Sequence, residues 1–146
     1  SVHGTAPGSD KTPSLATFQR EFQAKFGTLP TQAYITNAYD ATVLIGLAMQ
    51  QSRSNKAAAI RDAIRKVTDP KGETIYAGVA ELKKAAQLLA QGKSIRYVGA
   101  TGPLQFDVNG DISAPMQVWS VSAQGKVEPT GMVSVAQIDE LRIAKR

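Results

Sequence analysis

Gly102-Pro103-Leu104-Gln105-Phe106-Asp107-Val108-Asn109-Gly110-Asp111 reads as a strand running into a tight turn. Leu104, Phe106 and Val108 alternate with Gln105 and Asp107, the period of two expected of a half-buried strand. Asn109-Gly110 supplies residues that tolerate positive φ, and apolar residues resume at Met116, Val118 and Val121, so a hairpin is expected. The residues ahead of it carry a mainly helical pattern and offer few strands to pair with it. A hairpin closing such a run is expected of the tail of a larger α/β protein.

Outward from that stretch, Ser1 to Lys11 is rich in Gly, Ser and Pro and reads as a linker or an incoming hinge strand. Thr12-Pro13 gives an N-cap followed by proline at the first helical position. Leu15, Phe18, Phe22 and Phe26 recur at helical spacing, and Gly27 follows as a C-cap. A second helix is expected from Thr36 or Asn37 to about Gln51. Nine of the twelve residues from Ala38 to Met49 are apolar, so this helix should be covered on most sides. Asp40 is its one charge; with Asn37 as N-cap it would sit in the first turn, where the helix dipole favours a carboxylate. Ser54-Asn55 is the expected cap of a third helix with Ala57, Ile60, Ile64 and Val67 on one face. Asp69-Pro70-Lys71-Gly72 is a turn. A fourth helix from Val79 to Gln91 turns Leu82, Ala85, Ala86 and Leu89 inward, and Gly92 stops it. Ile95–Val98, Gln117–Val121 and Met132–Val135 are strand candidates. Ser134 with Gln137 forms a capping box for a short last helix.

The 146 residues suffice for one domain with one core. Hydrophobic residues make up 42% and charged residues 20%, the balance of a globular chain rather than a disordered one. The longest apolar stretch, Ala41–Met49, is too short to span a bilayer and is interrupted by Gly46. No basic-then-apolar leader opens the sequence. The absence of cysteine removes disulfides, thiol catalysis and thiolate metal sites. The net charge is +5, but Lys and Arg are spread thinly, with Lys83-Lys84 the densest pair and Arg142, Lys145 and Arg146 ending the chain. That distribution reads as solvated helix faces, and no nucleic-acid surface is expected.

Catalytic constellations are incomplete. The single histidine, His3, lies in the presumed flexible start, away from any partners a triad, zinc site or general base requires. Gly92-Lys93-Ser94 has the ending of a phosphate-binding loop, but Gln87 stands where the earlier glycine belongs. Asp107, Asn109 and Asp111 have the odd spacing of a calcium loop; Gly110 falls out of place and Val118 stands where a bidentate Glu is needed. Asp139-Glu140 point apart on a helix. No catalytic residue, metal ligand or cofactor is assigned, and the chain reads as a non-enzyme. Tyr34, ahead of the apolar helix, either staples the helix entry or packs a ligand with its ring and hydroxyl. Trp119 reads as core, and Tyr97 as either core or site.

The order Phe22…Phe26-Gly27…Pro30…Ala38-Tyr39-Asp40-Ala41…Gly102-Pro103-Leu104-Gln105-Phe106-Asp107…Asn109-Gly110-Asp111…Val118-Trp119 resembles the C-terminal part of type I periplasmic solute-binding proteins. The resemblance is to the branched-chain amino acid branch, the extracellular ligand-binding receptors of ABC transporters. It implies part of an α/β fold of two doubly wound lobes, to which this chain gives several helices and a few strands. Residues 1–11 would then be a hinge segment or linker, 12–98 a mainly helical lobe segment, and 99–146 the hairpin, a hinge crossing and the C-terminal segment. Ligand would bind in the interlobe cleft, and closure would be a hinge motion between two states. The implied ligand is an amino acid, an amide or a small organic acid, the implied partner a membrane-bound ABC permease, and the location periplasmic or extracellular. Tyr34 falls where branched-chain amino acid binders place an aromatic residue against the ligand, with Thr36 and Asn37 beside it. The other readings are a ligand-sensing or protein-interaction domain of the same fold with a regulatory role, and an enzyme fragment, which the missing nucleophile–base pair disfavours. An isolated piece of such a fold would expose apolar surface and is expected to dimerise or swap segments.

Overall fold

The structure, a computed structural model, describes residues 2–143. The basic end Lys145-Arg146 and the Arg142 side chain lie outside the described residues. Strand β1 (His3–Pro7) leads into helices α1 (Pro13–Phe26), α2 (Ile35–Ser52) and α3 (Ala57–Ile64), the last tightening into a 3-10 turn, Arg65–Val67. Strand β2 (Glu73–Ile75), helix α4 (Val79–Ala90) and strand β3 (Ile95–Tyr97) follow. Strands β4 (Met116–Val121) and β5 (Val127–Val133) and helix α5 (Val135–Ile143) complete the order.

The strands form two sheets. β2 and β3 run parallel, Glu73 opposite Ile95 and Ile75 opposite Tyr97. α4 makes the crossover that parallel pairing requires. β1, β4 and β5 form an antiparallel sheet with β4 central, and its register shifts between Val118 and Trp119. His3 therefore lies in a paired strand opposite Ser120, not in a flexible start. Trp119, expected in the core, is half-buried and lies across Gly4, where a Cβ would fall 2.2 Å from the indole ring.

α1 follows its sequence signals. Thr12 Oγ1 accepts the Leu15 N–H at 3.1 Å, Pro13 opens the helix, and Gly27 closes it at φ 75°. Phe18 is buried against Tyr39, with 4.8 Å between ring centroids, whereas Phe26 remains exposed. The expected start of α2 is wrong. The helix begins at Ile35, Tyr34 takes the N-cap position, and Asn37 is inside the helix. Nor is α2 covered on most sides: Leu44, Leu47 and Ala48 are buried, while Ile45 and Met49 face solvent. Lys56, not Ser54-Asn55, stands at the N-cap of α3; Ser54 Oγ accepts the Lys56 N–H at 3.1 Å just outside it. The Ser134–Gln137 capping box forms as expected, with Ser134 N–H on Gln137 Oε1 at 2.9 Å and Gln137 N–H on Ser134 Oγ at 3.3 Å.

The 102–111 stretch is not a strand. Leu104 is buried and Val108 fully outside, and the only pairings are isolated bridges, Val98 with Pro103 and Phe106 with Ile112. Asp107 organises the turn itself: its Oδ1 accepts the N–H groups of Asn109 and Asp111, both at 2.9 Å. The carboxylate that gave the calcium-like spacing is thus committed to its own backbone, and Gly110 supplies the φ of 93° that the turn needs.

The core joins Leu44 and Leu47 of α2, Val67, Ile75 of β2, Ala85, Leu88 and Leu89 of α4, Ile95 and Tyr97 of β3, and Leu104. Each large side chain removed from water contributes roughly 1.5–3 kcal/mol. One charge enters this core. Asp40 is 2% exposed. Its Oδ1 accepts the Tyr97 hydroxyl at 3.0 Å and the Ala100 N–H at 2.8 Å. Its Oδ2 accepts the Thr101 N–H at 2.8 Å and the Thr101 hydroxyl at 2.6 Å. The expected first-turn role on the helix dipole is replaced by this one, because α2 starts earlier and Asp40 lies beyond its first turn. Gly99 makes the approach possible, since a Cβ there would fall 2.3 Å from Asp40 Oδ2. Ser14 adds a second tie: its hydroxyl donates to the Val98 carbonyl and accepts the Ala77 N–H at 2.8 Å, joining α1 to the ends of both parallel strands.

Replacing Asp40 by Ala strands four donors, each costing about 1–3 kcal/mol when buried without a partner. Chemical denaturation of Asp40→Ala and of Gly99→Ala should show losses of about 3 kcal/mol or more. Gly46→Ala, in the middle of α2 with nothing within 4 Å of its added Cβ, should be neutral or stabilising by up to about 1 kcal/mol. Equal effects at Gly99 and Gly46 would refute the assignment.

Burial, then the Asp40 charge and hydrogen bond, pushes the Tyr97 hydroxyl far above its ordinary 10.0. The neutral phenol is therefore favoured by the fold. Its contribution is complete below the unfolded value and is lost as pH rises past it, where only the unfolded chain ionises. The stability advantage over Tyr97→Phe should stay level between about pH 7 and 9 and shrink above about pH 10 in paired denaturation curves.

Candidate functional site

The carboxyl ends of parallel strands are where open α/β sheets collect ligands. Here β3 runs into the loop 98–102, which Asp40 holds from below. That loop touches the connection between the two sheets: the Asp10 N–H donates to the Thr101 carbonyl at 3.1 Å, and the Thr12 hydroxyl to the Gly99 carbonyl at 3.3 Å. One residue back, Ser9 Oγ lies 3.2 Å from Thr36 Oγ1 on α2. The N-terminus of α2 is thereby fixed beside the connection between the sheets.

A depression of about 350 Å³ opens at this place. Its walls are Gly8 and Ser9 of the connection, Leu15 and Gln19 of α1, Tyr34 and Thr36 at the start of α2, and Gln117 and Met132 of the antiparallel sheet. No Lys, Arg, Asp or Glu lines it. Leu15, Met132 and the tyrosine ring give apolar contact, and the glutamines and hydroxyls give hydrogen bonds without charge. Of the residues singled out from sequence, Tyr34 and Thr36 share this depression, and Asn37 lies on α2 outside its lining. Gln19, Gln117 and Met132 were missed. They are ordinary members of a helix and two strands, and nothing in their local pattern marks them. Tyr97 turns out to be core, at 1% exposure.

Tyr34 is unusual in its backbone. It sits at the N-cap of α2 with φ 67°, in the left-handed region, and makes no capping hydrogen bond with its side chain. A bulky residue there is a genuine outlier, and left-handed backbone costs an L-residue roughly 1–2 kcal/mol. The ring does not repay that cost by burial, since the residue is 62% exposed. The hydrophobic staple across the helix entry is therefore not what holds it. Strain of this kind clusters where side chains meet ligands. One charge pair elsewhere is structural: Lys84 Nζ lies 2.7 Å from Glu73 Oε1, which holds the carboxyl below and the ammonium above their ordinary values. No group of three or more His, Cys, Asp or Glu among the described residues could hold a metal ion. None of the described helices is long and apolar enough to cross a membrane.

The family model for the receptor family ligand binding region matches residues 4–124. The chain belongs to this family. The resemblance drawn from the Tyr-Asp-Ala and Gly-Pro-Leu-Gln-Phe-Asp stretches is borne out, and the fold is part of that of a type I periplasmic binding protein. The chain spans about a fifth to a third of the length of the relatives it matches. The chain is 33% identical over 88 residues to the chemotactic signal transduction system substrate-binding protein BasB of Halobacterium salinarum, a match covering 60% of this chain and 19% of BasB. It superimposes on the crystal structure of the leucine binding protein LivK of Thermotoga maritima with a TM-score of 0.58 at 20% identity, covering 91% of this chain and 31% of LivK. Both relatives are binding proteins. In this family member the strain at Tyr34 is testable by itself. Tyr34→Gly removes the left-handed penalty and should stabilise the fold by about 0.5 kcal/mol once the greater unfolded freedom of glycine is subtracted. A loss above about 1 kcal/mol in denaturant titration would show instead that the ring holds the fold together.

Proposed function

We propose that the chain is the C-terminal part of an extracytoplasmic solute-binding receptor of an ABC transporter. It would take an amino acid, an amide or a small organic acid in an interlobe cleft, periplasmic or extracellular, and pass it to a membrane permease. The observation that carries this reading is the exposed, strained Tyr34 at the rim of an uncharged depression between α1, the start of α2 and the antiparallel sheet. Tyr34 gives the ligand an aromatic wall, Thr36 a hydroxyl on the Ser9 side, and Asn37 a neighbouring amide. The lining here is neutral, so groups that neutralise a ligand's charges belong to other parts of the receptor. Residues 1–11 act as hinge segment, 12–98 as lobe segment, and 99–146 as return crossing and C-terminal segment. The chain carries out no catalysis.

A second reading rests on BasB, whose name places it in chemotactic signal transduction. The same cleft would then report ligand to a chemoreceptor rather than deliver it to a permease.

Titration of the protein with amino acids, amides and small organic acids tests the binding claim. A ligand at a hundred times its Kd should raise stability by about 2.7 kcal/mol. Tyr34→Ala should weaken that binding about tenfold or more while leaving the unliganded fold intact. No thermal shift with any compound, or equal binding by Tyr34→Ala, would sink the proposal.

A further inference from the structure

The Tyr34 depression is lined without charge, but a second cavity of about 330 Å³ is lined by both signs. Arg96 of β3 shares it with Asp10 of the connection between the sheets and Asp139 of α5, and Gln105 and Ser113 add polar groups. Arg96 stands between Ile95 and Tyr97, which both point into the core, so strand alternation turns its side chain to the other face. There it is half-buried. Its guanidinium makes no ion pair or side-chain hydrogen bond among the described residues; the ion pairs found there are Arg61–Asp62 and Lys84–Glu73. The Asp10 carboxylate packs on Gly102, and a Cβ at that glycine would lie 2.9 Å from Asp10 Oδ2.

A guanidinium taken partly out of water favours a partner, and its fork fits a carboxylate through two parallel hydrogen bonds. Two carboxylates on other walls of the same cavity favour a cation. The charges line one open space without pairing across it, which leaves room for a molecule that carries both.

We propose that this cavity is a second small-molecule site, specific for a zwitterion whose carboxylate meets Arg96 and whose ammonium meets Asp10 and Asp139. Its volume suits a ligand at the small end of the usual range. It shares no lining residue with the Tyr34 depression, and the proposal does not rest on the transport reading. Because Arg96 belongs to the parallel sheet and Asp139 to the helix after β5, a bound zwitterion links the two parts of the chain.

The test is titration of the full chain with glycine, L-alanine and L-glutamine, followed by NMR, with acetate and methylammonium as single-charge probes. The expected result is shifts at Arg96 and Asp139 with at least one zwitterion, and binding weaker by about tenfold or more for each single-charge probe. Arg96→Gln and Asp139→Asn should each lower zwitterion affinity by a similar factor, and Tyr34→Ala should leave these shifts unchanged. If Arg96→Gln fails to fold, Asp139→Asn on the exposed side of α5 decides the matter. Absence of shifts at Arg96 and Asp139, unchanged affinity in the variants, or acetate binding as well as the zwitterions would overturn the proposal.

Discussion

Among the described residues the carboxylate of Asp40 is the one charge buried in the core, and the geometry around it follows from the need to satisfy it. Removing a carboxylate from water is costly unless its oxygens are fully hydrogen-bonded. Tyr97 and the backbone and side chain of the 100–101 segment supply four donors. To supply them, the chain after β3 has to wrap over α2, and residue 99 has to lack a side chain. The consequence is a fixed path for the 98–102 loop. That path brings the Thr101 carbonyl to the Asp10 amide and the Gly99 carbonyl to the Thr12 hydroxyl. The 10–12 segment is thus tied to α2 through Asp40.

This tie relates fold to site. α2 carries Asp40 near one end of its buried face, and Tyr34 and Thr36 stand at its N-terminus. With the helix anchored by Asp40 and by Leu44 and Leu47, its first turn has little freedom to move relative to the connection at Gly8–Asp10. The backbone strain at Tyr34 can persist because the structure on either side over-determines it. The neutral lining there and the mixed-charge lining around Arg96 are two different chemical environments on the same connection. A ligand in the first would contact α1, the start of α2 and the antiparallel sheet, and one in the second β3 and α5, so each would bridge separate elements of the chain.

Local rules were legible where they are enforced locally. The Thr12-Pro13 start, the Gly27 stop and the Ser134–Gln137 box all rest on hydrogen bonds within a few residues, and the structure has all three. β2 was not legible. Three residues between a turn and a helix carry too short a pattern, and Glu73-Thr74-Ile75 becomes a strand because β3 lies alongside. The 102–111 stretch misled in the opposite direction: its alternation is real, but Val108 projects to solvent, and only Asp107 and Gly110 shape the turn. At the candidate site, Tyr34 could be picked out because it precedes a conspicuous helix, and Thr36 because the family resemblance sets it beside Tyr34. Gln19, Gln117 and Met132 could not, since they come to the depression from separate elements.

By itself the sequence determined that this chain is an α/β member of its family, which helices it has and how α1 and α5 are capped, because composition, periodicity and capping act over short distances. It also marked Asp40 as structural and Tyr34 as worth attention. Only the tertiary structure decided why each matters. Asp40 owes its role to donors that lie 57 to 61 residues away along the chain. Tyr34 owes its standing to a left-handed backbone and to an exposure that no periodicity encodes. The placement of Arg96, Asp10 and Asp139 around one cavity likewise depends on three elements meeting in space, and contacts between distant segments leave no mark on the order of the residues.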